Sequence, residues 1–266
     1  MGFVKERLNN SGSHKDMDVE LFLRSAKTLR PFFEKFISIG MNSLTYDFSI
    51  LFNKLRISGI EAEQEMFSET GQVNTHKGAI FSFALILGVI GRLSKKENYN
   101  FSIFELLDNV KMCASNISNE FSTDSVSTKR KEMYEKYNLK GARGEAESGY
   151  QTISKYLTPI FQEYREYDEQ HRLLIFLLRL MSVTNDTNLV NRGDINALKQ
   201  VQKNALNAFL DKKIVHNKEA LALFMSEFDN DLIHKNLSPG GSADLLAVTC
   251  FLFDYFSNSK YFTKFS

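Results

Sequence analysis

Tryptophan is absent from the 266 residues, and proline (3) and cysteine (2) are scarce. With three prolines and 14 glycines, little interrupts long helices. Cys113 and Cys250 lie in apolar helical patterns without metal-ligand spacing, so they read as packing residues in a chain suited to a reducing compartment. An excess of one charge is missing too: 33 Lys and Arg stand against 32 Asp and Glu. No net field draws the chain to nucleic acid or to an anionic membrane surface, and any anion site must be local. The longest apolar run, Ala79 to Ile90, is interrupted by Ser82 and is shorter than the ~20 residues that cross a bilayer. The start, Met-Gly-Phe-Val-Lys-Glu-Arg, has no apolar h-region, so no cleaved signal peptide is expected. These absences predict a soluble, cytoplasmic protein with neither nucleic acid nor membrane as a partner.

Strand signals are missing as well, because no segment alternates with period two and no Asn-Gly or Asp-Gly hairpin turn occurs. Helical periodicity is what remains. Asp18 to Ile39 repeats apolar residues at three and four, with a kink or break expected near Leu29 because of Pro31, and a stop at Gly40. Ser43 to Ile57 reads as a second helix, and after Ser58-Gly59 a third segment carries Glu61, Glu63 and Glu65. Further helices are expected over Ser102–Ile117, over Leu173–Met181, from an Asp194 cap to about Leu210, and over Asn217–Ile233. Asn119 to Ser127 reads as a loop and Lys129 to Tyr137 as a short charged helix. The expectation is one all-α domain over residues 1–266, of about nine to twelve helices, two of them buried and apolar.

The stretch that organises the chain is Gly71 to Leu93. Its body is apolar on every side, so other elements must enclose it. Asn74 and Thr75 are good N-cap residues, which puts His76, Lys77 and Gly78 in the first turn, where free N–H groups and the positive dipole end favour anions. A phosphate site and an ordinary capped core helix both fit this pattern. Leu245 to Phe253 repeats the plan behind Ser238-Pro-Gly-Gly-Ser-Ala-Asp244. Lys140-Gly-Ala-Arg-Gly-Glu-Ala-Glu-Ser-Gly-Tyr150 permits close backbone approach to a ligand, and also suits a turn.

Familiar catalytic motifs are absent. In Gly71 to Gly78 a histidine stands where a phosphate-binding P-loop needs its second glycine, and no strand precedes. There is no His-Glu-x-x-His, Cys-x-x-Cys, Gly-x-Gly-x-x-Gly or Gly-x-Ser-x-Gly. His171, His216 and His234 sit in charged helical contexts and read as surface or satisfied histidines.

Five polar clusters remain: Ser11-Gly-Ser-His-Lys-Asp-Met-Asp18, Gly71-Gln-Val-Asn-Thr-His-Lys-Gly78, Gly141-Ala-Arg-Gly-Glu-Ala-Glu147, Asp186-Thr-Asn188 with Arg192, and Ser238-Pro-Gly-Gly-Ser-Ala-Asp244. In this order, over nearly the whole chain, they resemble the triphosphoribosyl-dephospho-coenzyme A synthase family, which serves citrate lyase and, in a sister branch, malonate decarboxylase. The resemblance implies a helical pentosyltransferase. It would join ATP and 3'-dephospho-CoA, release adenine, and supply the prosthetic-group precursor for a lyase acyl carrier protein. Members of the family begin with a further helix and a Thr-Pro-Lys-Pro-Gly segment, so the start at Met1-Gly2-Phe3 reads as shortened. Asn191 and Asp194 stand where the family has His and a second Gly around Arg192, and Asp194 reads here as a cap.

The implied chemistry assigns roles. Lys15, Thr75, Lys77, Gly78, Arg143 and Gly241 are the candidates for ATP and its phosphates, with Arg192 in a second tier. His76 is the candidate acid or hydrogen-bond donor, with Glu145 and Asp186 as catalytic carboxylates. Mg2+ is expected with the triphosphate, and Asp16, Asp18 and Asp244 are its candidate ligands. The change of sugar linkage from β to α in the family implies one direct displacement. Alternatives are another ATP-consuming enzyme, a phosphotransferase or hydrolase, and a nucleotide-binding homologue with impaired turnover.

Overall fold

The computed structural model describes residues 18–95, 100–115, 117 and 136–257. The expected loop at 119–127 and nearly all of the expected helix at 129–137 lie outside them. Among the described residues there are 13 helices, nine of them of seven residues or more, and no strand. In chain order they are α1 (Val19–Met41), α2 (Phe48–Thr70), α3 (Lys77–Ser94), α4 (Ile103–Cys113), α5 (Gly141–Glu147), α6 (Gln151–Tyr156), α7 (Thr158–Phe161), α8 (Glu169–Val183), α9 (Thr187–Arg192), α10 (Ile195–Leu210), α11 (Lys212–Val215), α12 (Lys218–His234) and α13 (Gly240–Ser257). The chain divides into two compact units. One comprises residues 1–19, 128–141 and 152–250, the other residues 20–127, 142–151 and 251–266.

The unit that begins at Glu20 is built around α3. Leu85, Ile86, Val89 and Ile90 are all buried, as a helix with no polar face requires. By length and composition α3 could cross a membrane, but 67% of it is buried inside the structure, which makes it a core helix. Glycines let α1 approach it closely. A Cβ on Gly40 would overlap the carbonyl of Gly88, and one on Gly91 would overlap the carbonyl of Ile37. Gly40, read from sequence as a helix stop, thus serves backbone-to-backbone packing one residue before α1 ends. α1 runs unbroken through Pro31, which is exposed. Proline removes one ladder bond there, and the buried positions Ser25, Leu29, Phe36 and Gly40 keep one face in register on both sides.

The expected break at Ser58-Gly59 is likewise not made. α2 is a single helix whose buried positions Leu51, Leu55, Ser58, Ala62 and Met66 continue across Gly59 at helical spacing. Arg92 near the end of α3 donates to the carbonyls of Ser43 and Tyr46, both at 2.7 Å, fixing the connection between α1 and α2. The last turns of α13 supply Phe251, which meets Phe83 of α3 edge-on with ring centroids 5.7 Å apart.

In the other unit α8 packs on α10 and α12, around Ile175, Leu178 and Met181 of α8 with Val201, Ala205 and Leu221. Arg179 lies between the rings of Tyr156 and Phe209, 5.0 and 4.8 Å from their centroids. His171 is buried with Nε2 2.8 Å from the carbonyl of Val215, and Nδ1 of His216 meets the Tyr167 hydroxyl at 2.7 Å. Both are satisfied histidines, as their context predicts. Asp194 makes the cap expected of it, and Asn217, where the next helix is expected to start, makes another. Asp194 accepts from the amide of Ala197 at 2.8 Å, and Asn217 from that of Ala220 at 2.8 Å.

Candidate active site

The open end of α3 is assembled from three consecutive features of its unit. α2 ends at Gly71, whose φ of 61° is the left-handed conformation that closes a helix, and Gln72 follows at 72° with its amide donating to the Phe67 carbonyl at 2.8 Å. The chain reverses, and Asn74 Oδ1 accepts the amide of Lys77 at 3.1 Å, but the cap position expected at Asn74 or Thr75 falls to His76, whose side chain makes no capping bond, so the helix starts at Lys77. Between Asn74 and the helix stand Thr75 and His76, half-buried with Lys77 and Gly78.

His76 is held on several sides. Its amide donates to the sulfur of Met66 at 3.2 Å, and Nδ1 lies 2.9 Å from Ser25 Oγ and 3.0 Å from Thr75 Oγ1. The Phe22 ring covers the imidazole, with centroids 4.1 Å apart. Burial pushes the His76 pKa down to about 4, so the ring is neutral at neutral pH. Beside it, Lys77 Nζ forms an ion pair with Glu63 Oε2 at 2.6 Å. A neutral imidazole and an ammonium thus stand together at the positive end of a buried helix, where an anion and a reacting hydroxyl can both be received.

Arg143 and Glu145, on α5, belong to the same unit. Arg143 Nη1 and Glu145 Oε2 are both buried. The turn after α5 is fixed by Gly149, at φ 70°, where a Cβ would stand 2.8 Å from the Leu107 carbonyl on α4. The Glu145 carbonyl accepts the amide of Tyr150 at 2.6 Å.

Asp186, Arg192, Gly241 and Asp244 lie in the other unit. Asp186 is 1% exposed and caps α9, accepting from the amides of Asn188 at 2.9 Å and Leu189 at 3.4 Å. Its other oxygen accepts the amide of Ser242 at 2.8 Å and the Ser242 hydroxyl at 3.1 Å. Burial holds its carboxyl above the usual carboxylate range, against the lowering by the donors of Ser242, Asn188 and Gly241. The mouth of α13, read from sequence as a place for phosphate, therefore receives the chain's own carboxylate, and Gly241 contributes its amide to Asp186. Three glycines make this possible. Cβ atoms on Gly141, Gly240 and Gly241 would come within 3.3, 2.6 and 3.1 Å of the side chains of Thr187, Asn188 and Asp186. Parts of the third, fourth and fifth polar clusters thus meet at the start of α9. Arg192 Nη1 lies 3.5 Å from Asn236 Oδ1, Asp18 precedes α1 on the surface, and Asp244 is half-buried in α13. Lys15 and Asp16 lie outside the described residues.

Residues 7–261 match the family described as CitG: ATP:dephospho-CoA triphosphoribosyl transferase. The chain belongs to this family. It is 41% identical over 256 residues to 2-(5''-triphosphoribosyl)-3'-dephosphocoenzyme-A synthase of Escherichia fergusonii, which covers 92% of this chain and 82% of that one. It is 39% identical over 258 residues to the synthase of the same name in Haemophilus ducreyi, covering 91% and 79%. Protein CitXG of Haemophilus influenzae is 40% identical over 260 residues, 94% of this chain and 55% of that one, so the chain spans about half the length of this relative. No solved structure matches. The chain is thus a transferase of the triphosphoribosyl-dephospho-CoA synthase kind, on an all-α scaffold.

Within this triphosphoribosyl transferase scaffold, sequence reasoning found the α3 cluster but not its supports. Ser25 carries no signal, being one serine in an amphipathic helix 51 residues before His76. Of the three acids upstream of the central helix, the i, i+4 spacing singles out Glu61 and Glu65, yet it is Glu63 that meets Lys77, while Glu61 pairs with Lys35.

Proposed function

We propose that the chain transfers the triphosphoribosyl group of ATP to the ribose 2'-hydroxyl of 3'-dephospho-CoA and releases adenine. The family match over residues 7–261 carries this reading, and the open end of α3 supplies a mechanism for it. Breaking the N-ribosyl bond places cationic character on C1 of the ribose and negative charge on adenine, while the triphosphate keeps its charge throughout. Lys77 and the positive end of α3 give the triphosphate the local positive charge that the balanced net charge does not. Glu63 neutralises Lys77 until the triphosphate displaces it. Arg143, in the same unit as Lys77, is the second phosphate ligand. Glu145 handles the departing base, and Asp186 keeps its place as a cap. One in-line displacement accounts for the inversion of the sugar linkage.

Among the described residues no three His, Cys, Asp or Glu side chains come together to hold a metal. Magnesium is assigned to the substrate, travelling with the triphosphate. The product passes in the cytoplasm towards the acyl carrier protein of citrate lyase. Incubating the chain with ATP, Mg2+ and dephospho-CoA, followed by mass analysis, is expected to show adenine and the coupled product in equal amounts. ADP or AMP in place of adenine would make the chain a phosphotransferase or hydrolase. Protection of the fold by ATP with nothing released would make it a binding protein.

A further inference from the structure

Ser25 is fully buried on α1 and meets three groups at once. Its Oγ lies 3.0 Å from the Phe22 carbonyl, 2.9 Å from Thr75 Oγ1 and 2.9 Å from His76 Nδ1, and Thr75 Oγ1 lies 3.0 Å from the same nitrogen. Hydrogens on Ser25, Thr75 and His76 must serve all four contacts, since a carbonyl only accepts. With a proton on Nδ1 there are three: Nδ1–H is shared between Ser25 and Thr75, Ser25 donates to the Phe22 carbonyl, and Thr75 donates to the second lone pair of Ser25. With Nδ1 bare there are two. Whenever Ser25 then donates to Phe22, its oxygen faces the lone pair of Nδ1 at 2.9 Å in a poorly solvated place, which is repulsive. Among the described residues Nε2 makes no hydrogen bond.

We infer that Ser25 is the positioning residue of His76, holding it as the Nδ1–H tautomer so that the bare Nε2 takes the proton of the attacking substrate hydroxyl. The inference rests on the reading that His76 touches the substrate, and it reverses the donor role expected for His76 from sequence. As the O–H bond breaks, its electron pair forms the new C–O bond at C1 of the ribose, and the proton moves to Nε2. The electron pair of the C–N bond leaves with adenine, which takes a proton from water, and the imidazolium returns its proton to solvent. Burial, which keeps the ring neutral, keeps the Nε2 lone pair available. The Phe22 ring packs on the imidazole and the Met66 sulfur holds the His76 backbone, so Ser25 is left to decide which nitrogen carries hydrogen.

The test uses the full chain labelled with 15N-histidine, with His76 assigned by the signals lost in His76→Gln. A protonated Nδ1 and a bare Nε2 are expected in the unsubstituted chain. Ser25→Ala is expected to mix the tautomers and to lower kcat about tenfold or more, with KM for ATP unchanged within about twofold. Ser25→Thr, which keeps the hydroxyl, is expected to restore both. A proton on Nε2 in the unsubstituted chain, or a Ser25→Ala variant with unchanged spectrum and kcat, overturns the inference while the reading of His76 stands. A Ser25→Ala loss accompanied by a lower melting temperature and not rescued by Thr makes Ser25 merely structural and also overturns it. Full turnover by His76→Gln removes His76 from the reaction, so the reading of the site fails and the inference with it. If no adenine is released at all, the spectra of the two Ser25 variants still decide the tautomer.

Discussion

The carboxylate of Asp186 accepts both the backbone amide and the hydroxyl of Ser242, 56 positions along the chain, at 2.8 and 3.1 Å. With its other oxygen on the first amides of α9, one buried side chain closes the N-termini of two helices. Asp186→Asn keeps the shape but turns an NH2 group towards the Ser242 amide, so a buried donor loses its acceptor. The loss of stability is expected to be about 1–3 kcal/mol, read by urea unfolding. Unchanged stability with abolished turnover would instead put this carboxylate at the substrate.

Two glycines make opposite predictions for the same substitution. Gly40→Ala puts a methyl group into the Gly88 carbonyl, and since backbone cannot step aside, α1 and α3 must separate. A loss of about 1–3 kcal/mol or more is expected. Gly59 lies inside α2 with nothing within 4 Å of a Cβ, and its φ is not in the left-handed region. Gly59→Ala is expected to stabilise by about 0.5–1 kcal/mol, by removing the entropic cost of a helical glycine. Thermal melts of the two variants should move in opposite directions.

These glycines also mark where the sequence could and could not be read. Asp194 announces its helix because a cap acts on an amide three residues away, so cause and effect share one short stretch. The core helix α3 is legible because its composition leaves it no solvent face. Gly59 misled because local propensity favours a break there, while the stripe Leu51, Leu55, Ser58, Ala62 and Met66 runs through it and burial decides. Gly40 misled for the converse reason: the residue it accommodates is Gly88, 48 positions away by the numbering, and nothing near Gly40 encodes that contact. The same holds at the site, where His76 and Lys77 stand in one motif, while Ser25 and Glu63 come from two other helices and become visible only once these pack.

The ion pair of Lys77 with Glu63 sets two opposed effects on ATP binding. The side chains are 38% and 23% exposed, so the pair itself contributes about 1 kcal/mol or less to stability. Lys77→Ala is expected to weaken ATP binding about tenfold or more with little change in melting temperature, since it removes a charge-assisted contact to phosphate. Glu63→Gln removes the competitor and is expected to tighten ATP binding several-fold. Calorimetric titration of both variants checks the pair. Weaker binding by Glu63→Gln would make Glu63 a ligand-holding group and not a counter-charge.

The low pKa of His76, about 4 against an ordinary 6.5, makes stability depend on pH in a defined window. Between these two values the unfolded chain binds a proton at this ring and the native chain does not, so unfolding is favoured as pH falls. The contribution of the neutral ring is fully present above pH 6.5 and is lost progressively towards pH 4. In His76→Gln this component is missing, so the urea midpoint of the variant should fall less steeply than that of the unsubstituted chain over the same interval. Bound ATP weakens this dependence, because its triphosphate beside the ring favours the charged imidazole and raises the native pKa towards the unfolded value. The acid loss at this ring should therefore be smaller, and complete at higher pH, when ATP is present. Parallel midpoint curves for the chain and the variant would show that His76 titrates normally and is not held neutral by burial.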